Sequence, residues 1–134
     1  MMALLRTWSN GWFTTHRTQA KRNGGIKLPC IFGCGDEEDS LHHYIHCDPL
    51  WTLVVSCTVN KSSLLHSSAA YKICLVNYNS ESISLCVVAF QVYHALTNIH
   101  SHEINLAVQQ SDFSHIVDIA RALLSNFAEE LNLR

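Results

Sequence analysis

Apolar residues recur along this 134-residue chain mostly at helical spacing, and polar or glycine-rich breaks divide the apolar stretches. Leu4, Leu5, Trp8, Trp12 and Thr15 fall at three- and four-residue intervals. That pattern predicts an amphipathic helix from about Met2 to Gln19, weakened at Gly11. Lys21-Arg22-Asn23-Gly24-Gly25 should end it, because glycine supplies the left-handed backbone that helix termini favour. Ile26 to Pro29 is expected to run extended, since the residue before a proline avoids the helical region. After the polar loop Asp36 to Ser40, whose last two residues can cap a helix, a helix is predicted to start near Leu41. Asp48 as cap and Pro49 in the first turn predict a restart through Leu50, Trp51, Val54 and Val55.

The second half continues in the same manner. Thr58 to Ser68 is polar and reads as a connection, Ala69 to Asn77 is balanced between helix and strand, and Asn77 to Ser82 is another break. Ile83 to Ile99 predicts a helix that is apolar nearly all round, the pattern of central burial. Phe113, Ile116, Val117, Ala120, Leu123, Leu124, Phe127 and Leu131 form one stripe of a last helix, capped by Ser111 or Asp112.

Composition agrees with a packed core: 48% of residues are hydrophobic and 15% charged. The apolar start, Met1 to Leu5, is cut short by Arg6 and a polar stretch, so no signal peptide is read. No apolar run approaches the roughly 18 to 20 residues of a membrane span. The expectation is an intracellular chain, cytoplasmic or nuclear, without a membrane partner. Charge is unevenly placed. Residues 1 to 35 carry Arg6, Arg17, Lys21, Arg22 and Lys27 and no acid, a charge of +5, whereas the remainder carries −7. A positive end on an acidic body suits contact with a polyanion.

The chemistry is concentrated in Cys30-Ile-Phe-Gly-Cys34 and His43-Tyr-Ile-His-Cys47. Three thiols and an imidazole in two close pairs suit one structural zinc ion, held tetrahedrally by Cys30, Cys34, His43 and Cys47. Gly33 and Gly35 flank the second thiol and let the backbone curl around a metal. His43 and Cys47 are four apart and share a helix face. His42 lies about 100° away from that face and His46 is adjacent to Cys47, so helical geometry prefers His43 as the ligand. Cys57, Cys74 and Cys86 sit in apolar segments and read as small buried hydrophobes rather than disulfide partners. His66, His94, His100, His102 and His115 read as ordinary surface or core histidines. Leu28-Pro29-Cys30 has neither the two-residue spacing nor the upstream His-x-Glu of the zinc deaminases. No phosphate-cradling loop, nucleophile elbow or His-Glu-x-x-His sequence occurs, and no catalysis is expected.

With the acidic loop to Asp39-Ser40-Leu41, then His43-Tyr44 and Cys47-Asp48-Pro49-Leu50-Trp51, the chain resembles a known module. It is similar to the CCHC zinc-binding segment C-terminal to the reverse transcriptase of non-LTR retrotransposons. Trp8-Ser9-Asn10-Gly11-Trp12 and Arg17 resemble the helix that leads into that segment, and the resemblance covers roughly residues 4 to 55. The family's Leu-x-His-x-x-x-Cys falls on Leu41, His43 and Cys47. The resemblance implies contact with template or target nucleic acid beside a polymerase. The chain has no palm with paired aspartates and no Pro-Asp…Lys nuclease arrangement after the zinc segment, so the polymerase's chemistry does not carry over.

The architecture expected is therefore mainly all-α: a small helical bundle with a zinc knuckle inserted after the first helix. Residues 1–134 read as a single domain, with a basic N-terminal helix and linker over 1–27, the CCHC segment over 28–56 and a helical part over 57–134. Arg17, Lys21, Arg22 and Lys27 are the residues expected to meet RNA or DNA phosphates. The alternative is a protein-interaction module that docks a partner through the apolar Ile83 to Ile99 helix.

Overall fold

A computed structural model describes residues 2–8, 12, 14, 28–56, 72–75 and 79–130. Among them the architecture is all-α: α1 (Met2–Trp8), α2 (Leu41–His46), α3 (Asp48–Val55), α4 (Ser80–Asn98), α5 (Ser101–Gln109) and α6 (Phe113–Glu130). The metal knuckle stands between α1 and α2, as the sequence predicts.

Helix α4 is the centre of the bundle and packs against α1, α3, α5 and α6. Its all-round apolar sequence follows from this position, since Leu85, Val88, Ala89, Val92, Tyr93 and Leu96 are buried on several sides of it. It begins at Ser80, three residues before the predicted start, because Asn79 and Ser82 form a capping box. The Ser82 amide donates to Asn79 Oδ1 at 2.8 Å, and the Asn79 amide donates to Ser82 Oγ at 2.9 Å.

One expectation needs correction. Among the described residues the first helix spans Met2–Trp8, and Trp12 and Thr14 are not helical, so it does not run unbroken to Gln19. Trp12 reaches the core without helical geometry, its Nε1–H donating to Thr7 Oγ1 at 2.8 Å. Ser9-Asn10-Gly11, poor helix formers in series, separate the two tryptophans. Helix α5, in turn, is not singled out by the apolar pattern. It presents only Ile104, Ala107 and Val108 to the core and meets α4 at a bend of 84°. Among the described residues no single helix is long and apolar enough to cross a membrane.

The α5–α6 corner is a complete Schellman motif. The Asp112 amide donates to the Ala107 carbonyl at 2.8 Å and the Ser111 amide to the Val108 carbonyl at 3.1 Å, with Ser111 in the left-handed region at φ 56°. Asp112 then caps α6, its Oδ1 accepting from Ser114 Oγ at 2.9 Å and from the His115 amide at 3.4 Å. Of the two caps the sequence offered, Asp112 is the one used.

Candidate metal centre

The first pair of ligands is delivered by a pinched loop. Pro29 and Glu38 form an antiparallel bridge, with the Cys30 amide donating to the Glu37 carbonyl at 2.8 Å and the Asp39 amide to the Leu28 carbonyl at 3.0 Å. Between these points the chain turns tightly, the Gly33 amide donating to the Cys30 carbonyl at 3.2 Å. Gly33 has φ 83° and Gly35 φ 72°, conformations that side chains rarely adopt. Gly33 has a second constraint: a Cβ there would stand 2.7 Å from the Phe113 ring of α6. The knuckle is thus seated directly on the C-terminal helix.

The second pair comes from two short helices that share one residue. Ser40 caps α2, its Oγ accepting from the His43 amide at 3.2 Å. Cys47 ends α2 and is also the N-cap residue of α3, so Asp48 and Pro49 lie inside the first turn of α3. Aspartate was expected at the cap itself. The cap falls one residue earlier because the Cys47 carbonyl already accepts from the Trp51 amide at 3.1 Å. Cys47 is therefore fixed by backbone bonds on both sides.

These loops bring Cys30, Cys34, His43 and Cys47 together, with one donor atom from each lying within 4.8 Å of the others. The Cys30 and Cys47 sulfurs are 3.8 Å apart and those of Cys34 and Cys47 are 3.7 Å apart. A tetrahedral ion with metal–sulfur bonds of about 2.3 Å sets its sulfurs about 3.8 Å apart. The cysteines are free rather than disulfide-bonded. His43 is buried, its Nε2 has no hydrogen-bond partner, and its Nδ1 lies 3.6 Å from Glu37 Oε2. A buried, unpartnered ring nitrogen is costly unless something binds it. A carboxylate on the opposite nitrogen is the usual orienting partner of a metal-bound imidazole. The donor set thus fits a single metal ion. His42 and His46 are exposed and pair edge-to-face with each other, ring centroids 5.8 Å apart, outside the cluster.

Electrostatics in the cluster are uneven. A hydrogen bond from the Cys47 thiol, followed by backbone bonds from Phe32 and Cys34, lowers the pKa of Cys30 to about 5. Burial and the charge at Cys30 raise Cys34 to about 11, and the bond to Cys30 together with burial raises Cys47 strongly. The metal-free pocket therefore holds one thiolate and two thiols. A cation would take the protons of the latter two.

A buried polar network that sequence reasoning missed underlies the centre. Asp39, expected to help cap α2, is fully buried. Its Oδ1 accepts from Tyr44 Oη at 2.6 Å and from Tyr93 Oη at 2.7 Å. Tyr44 Oη in turn accepts from the Ile31 amide at 3.2 Å, and Trp51 Nε1–H donates to the Tyr44 carbonyl at 2.9 Å. Burial, then the neighbouring Tyr93 and Asp39, push the Tyr44 phenol well above its ordinary range, so it remains a donor. Trp12 stacks on Tyr44 and Tyr93 with centroids 6.0 and 5.1 Å away. Knuckle, α2, α3 and α4 are thereby joined behind the ligands.

Arg17, Lys21, Arg22 and Lys27, the expected phosphate contacts, lie outside the described residues, as does Cys57. No protein-family model, curated protein or solved structure matches the chain.

Proposed function

We propose that this chain is a zinc-stabilised nucleic-acid-binding domain without catalysis of its own, akin to the CCHC segment that follows non-LTR retrotransposon reverse transcriptases. The observation that carries the zinc reading is the cluster of three thiols and an otherwise unpartnered imidazole nitrogen at tetrahedral spacing. Soft sulfur ligands with one borderline nitrogen favour zinc over hard cations. Four protein donors close the tetrahedron and leave no position for a reactive water, which makes the ion structural. Free thiols suit a reducing compartment, cytoplasmic or nuclear.

Nucleic-acid binding is supported by the charge of +5 over residues 1 to 35 against the acidic remainder. Arg17, Lys21, Arg22 and Lys27 would pair with phosphates irrespective of base sequence. Elemental analysis of the purified chain should return one equivalent of zinc. Fluorescence anisotropy with single-stranded RNA and duplex DNA should show binding at about 50 mM salt, with log–log salt slopes for four contacts of about −2.8 and about −3.6 respectively. Absence of binding to both at that salt overturns the nucleic-acid reading. Charge-neutralising all four residues should flatten the slope.

A second reading, a helical protein-interaction module, draws on Ile99, 77% exposed at the α4–α5 corner, and Leu106, 46% exposed towards the end of α5. The apolar side chains within α4 itself are mostly taken up by the core. A clean monomer that binds no apolar dye would count against this reading.

A further inference from the structure

Three thiolates, a neutral imidazole and a divalent ion sum to one net negative charge inside the protein, where an uncompensated charge is expensive. Lys72 is buried, at 5% exposure. Its Nζ stands 5.6 Å from the centroid of the Trp51 ring, the aromatic residue of α3 whose amide is bonded to the Cys47 carbonyl. We propose that the Lys72 ammonium is the countercharge of the metal centre, held over Trp51, in the helix that Cys47 caps, by a segment that contributes no ligand.

The proposal rests on the zinc reading above and adds a residue to it from outside the ligand segment. Burial lowers the Lys72 pKa, while the Asp48 carboxylate and, once ionised, the Cys47 thiolate act in the opposite direction. Asp48 is exposed and solvated, which leaves the thiolate side as the buried charge in need of a partner. A lysine fits the role: its ammonium is a compact charge on an apolar stem, and that ammonium stands over Trp51, in the helix that Cys47 caps. A bound ion also explains why the chain keeps an ammonium here, where a Met of similar length would fill the same space.

The test compares zinc affinity, by competition with a chromophoric chelator, in the parent chain and in Lys72→Met, Lys72→Gln and Lys72→Arg. Loss of an outer-shell partner typically lowers metal affinity about 10- to 100-fold. The neutral variants should therefore bind zinc at least about tenfold more weakly, and Lys72→Arg should stay within about threefold of the parent. Cobalt substitution gives an independent readout. A positive charge beside a thiolate stabilises its electrons, so the sulfur-to-cobalt charge-transfer band should move to longer wavelength in Lys72→Met and hold its place in Lys72→Arg. Parent-like affinity and an unshifted band in Lys72→Met overturn the proposal while leaving the zinc reading intact. A parent chain that binds no zinc overturns both. Should the neutral variants fail to fold with saturating zinc while Lys72→Arg folds, the charge is what matters and the proposal stands; failure of all three shows a packing role and removes it.

Discussion

The ligand-bearing segment and the C-terminal helices of this chain are held together by different physics. Helices α4 and α6 run 19 and 18 residues, are capped by Asn79 and Asp112, and bury an apolar stripe against each other. Helices α2 and α3 have only 6 and 8 residues, far below the length at which a helix persists unaided in water. They lend Tyr44, Leu50, Trp51 and Val54 to the common core, and beyond that draw on four candidate ligand atoms, a shared cap at Cys47 and a buried carboxylate. A segment with so little helix of its own combines a donor set that fits a metal ion with a buried polar network. That dependence predicts a steep difference in how the two regions respond to perturbation.

Metal removal should have the largest effect. The binding free energy of a structural zinc ion counts as folding free energy, on the order of 10 kcal/mol. Hydrogen exchange followed with and without a strong chelator should show α2 and α3 losing protection by orders of magnitude while the middle of α4 retains part of its own. Cys30→Ser and His43→Ala should reproduce the pattern without chelator. Equal loss throughout would mean that the bundle, too, depends on the ion; no loss anywhere would remove the metal from the account.

Next comes the carboxylate that joins the two regions. Asp39→Ala strips the acceptor from two buried phenols, each unsatisfied group costing about 1–3 kcal/mol, so a loss of about 3 kcal/mol is expected in denaturant unfolding. Asp39→Asn keeps an acceptor oxygen and should lose less. Tyr93→Phe, which removes one donor from the α4 side, should cost about 1 kcal/mol.

The pH response follows from the unequal thiols. In the metal-free protein Cys30, at about 5, is already ionised at neutral pH, whereas Cys34, at about 11, and Cys47 keep their protons. Binding an ion releases those two protons, so apparent affinity should rise by about two decades per pH unit from about pH 7.5 to about pH 9. The sign is fixed: acid opposes the metal, and the stabilisation it confers is lost as pH falls. Competition titrations across that range measure the slope. A slope near three would place a proton on Cys30 as well.

Legibility in the sequence divides along the same line. The ligand set could be read because its cues are local. Two pairs of donors at close spacing, Gly33 beside the second thiol and Ser40 three residues before His43 all lie within eighteen residues. The last helix could be read from its stripe. Asp39 could not: one of its partners, Tyr93, is 54 residues away, and nothing around Asp39 distinguishes it from the solvated acids of its loop. Lys72 was hidden for the same reason, its significance lying in Trp51 across space. The overlong first helix shows the converse error. Trp12 is apolar at the helical interval because it fills the core, which a non-helical backbone achieves equally well.

Gly33 and Gly35 sharpen the comparison within a single turn. Both have positive φ, so alanine at either strains the backbone by about 1 kcal/mol. At Gly35 a Cβ meets nothing within 4 Å, and that strain should be the whole effect. At Gly33 the Cβ would stand 2.7 Å from Phe113, and overpacking should add about 1–3 kcal/mol. Pairing Gly33→Ala with Phe113→Leu should recover part of the added loss, a result that thermal melts of the double variant will show.

The smallest change is expected where the C-terminal region departs from ideal helix design. Ser111 occupies the left-handed position of the α5–α6 corner, where glycine is the usual residue, at φ 56°. Its side chain has to accept a conformation disfavoured by about 1 kcal/mol or more for residues with a Cβ. Both hydrogen bonds of the motif are made by backbone amides, from Ser111 and Asp112, so glycine would keep them. Glycine also costs more entropy on folding, which offsets part of the relief. Ser111→Gly should therefore stabilise the chain by roughly 0.5 kcal/mol, and Ser111→Ala should not. Because the motif's two hydrogen bonds are made wholly within the corner, the gain should be the same with zinc bound and with zinc removed, provided α5 and α6 stay folded. A gain seen only in the metal-bound form would show that the two regions fold as one unit, and would undo the contrast drawn between them.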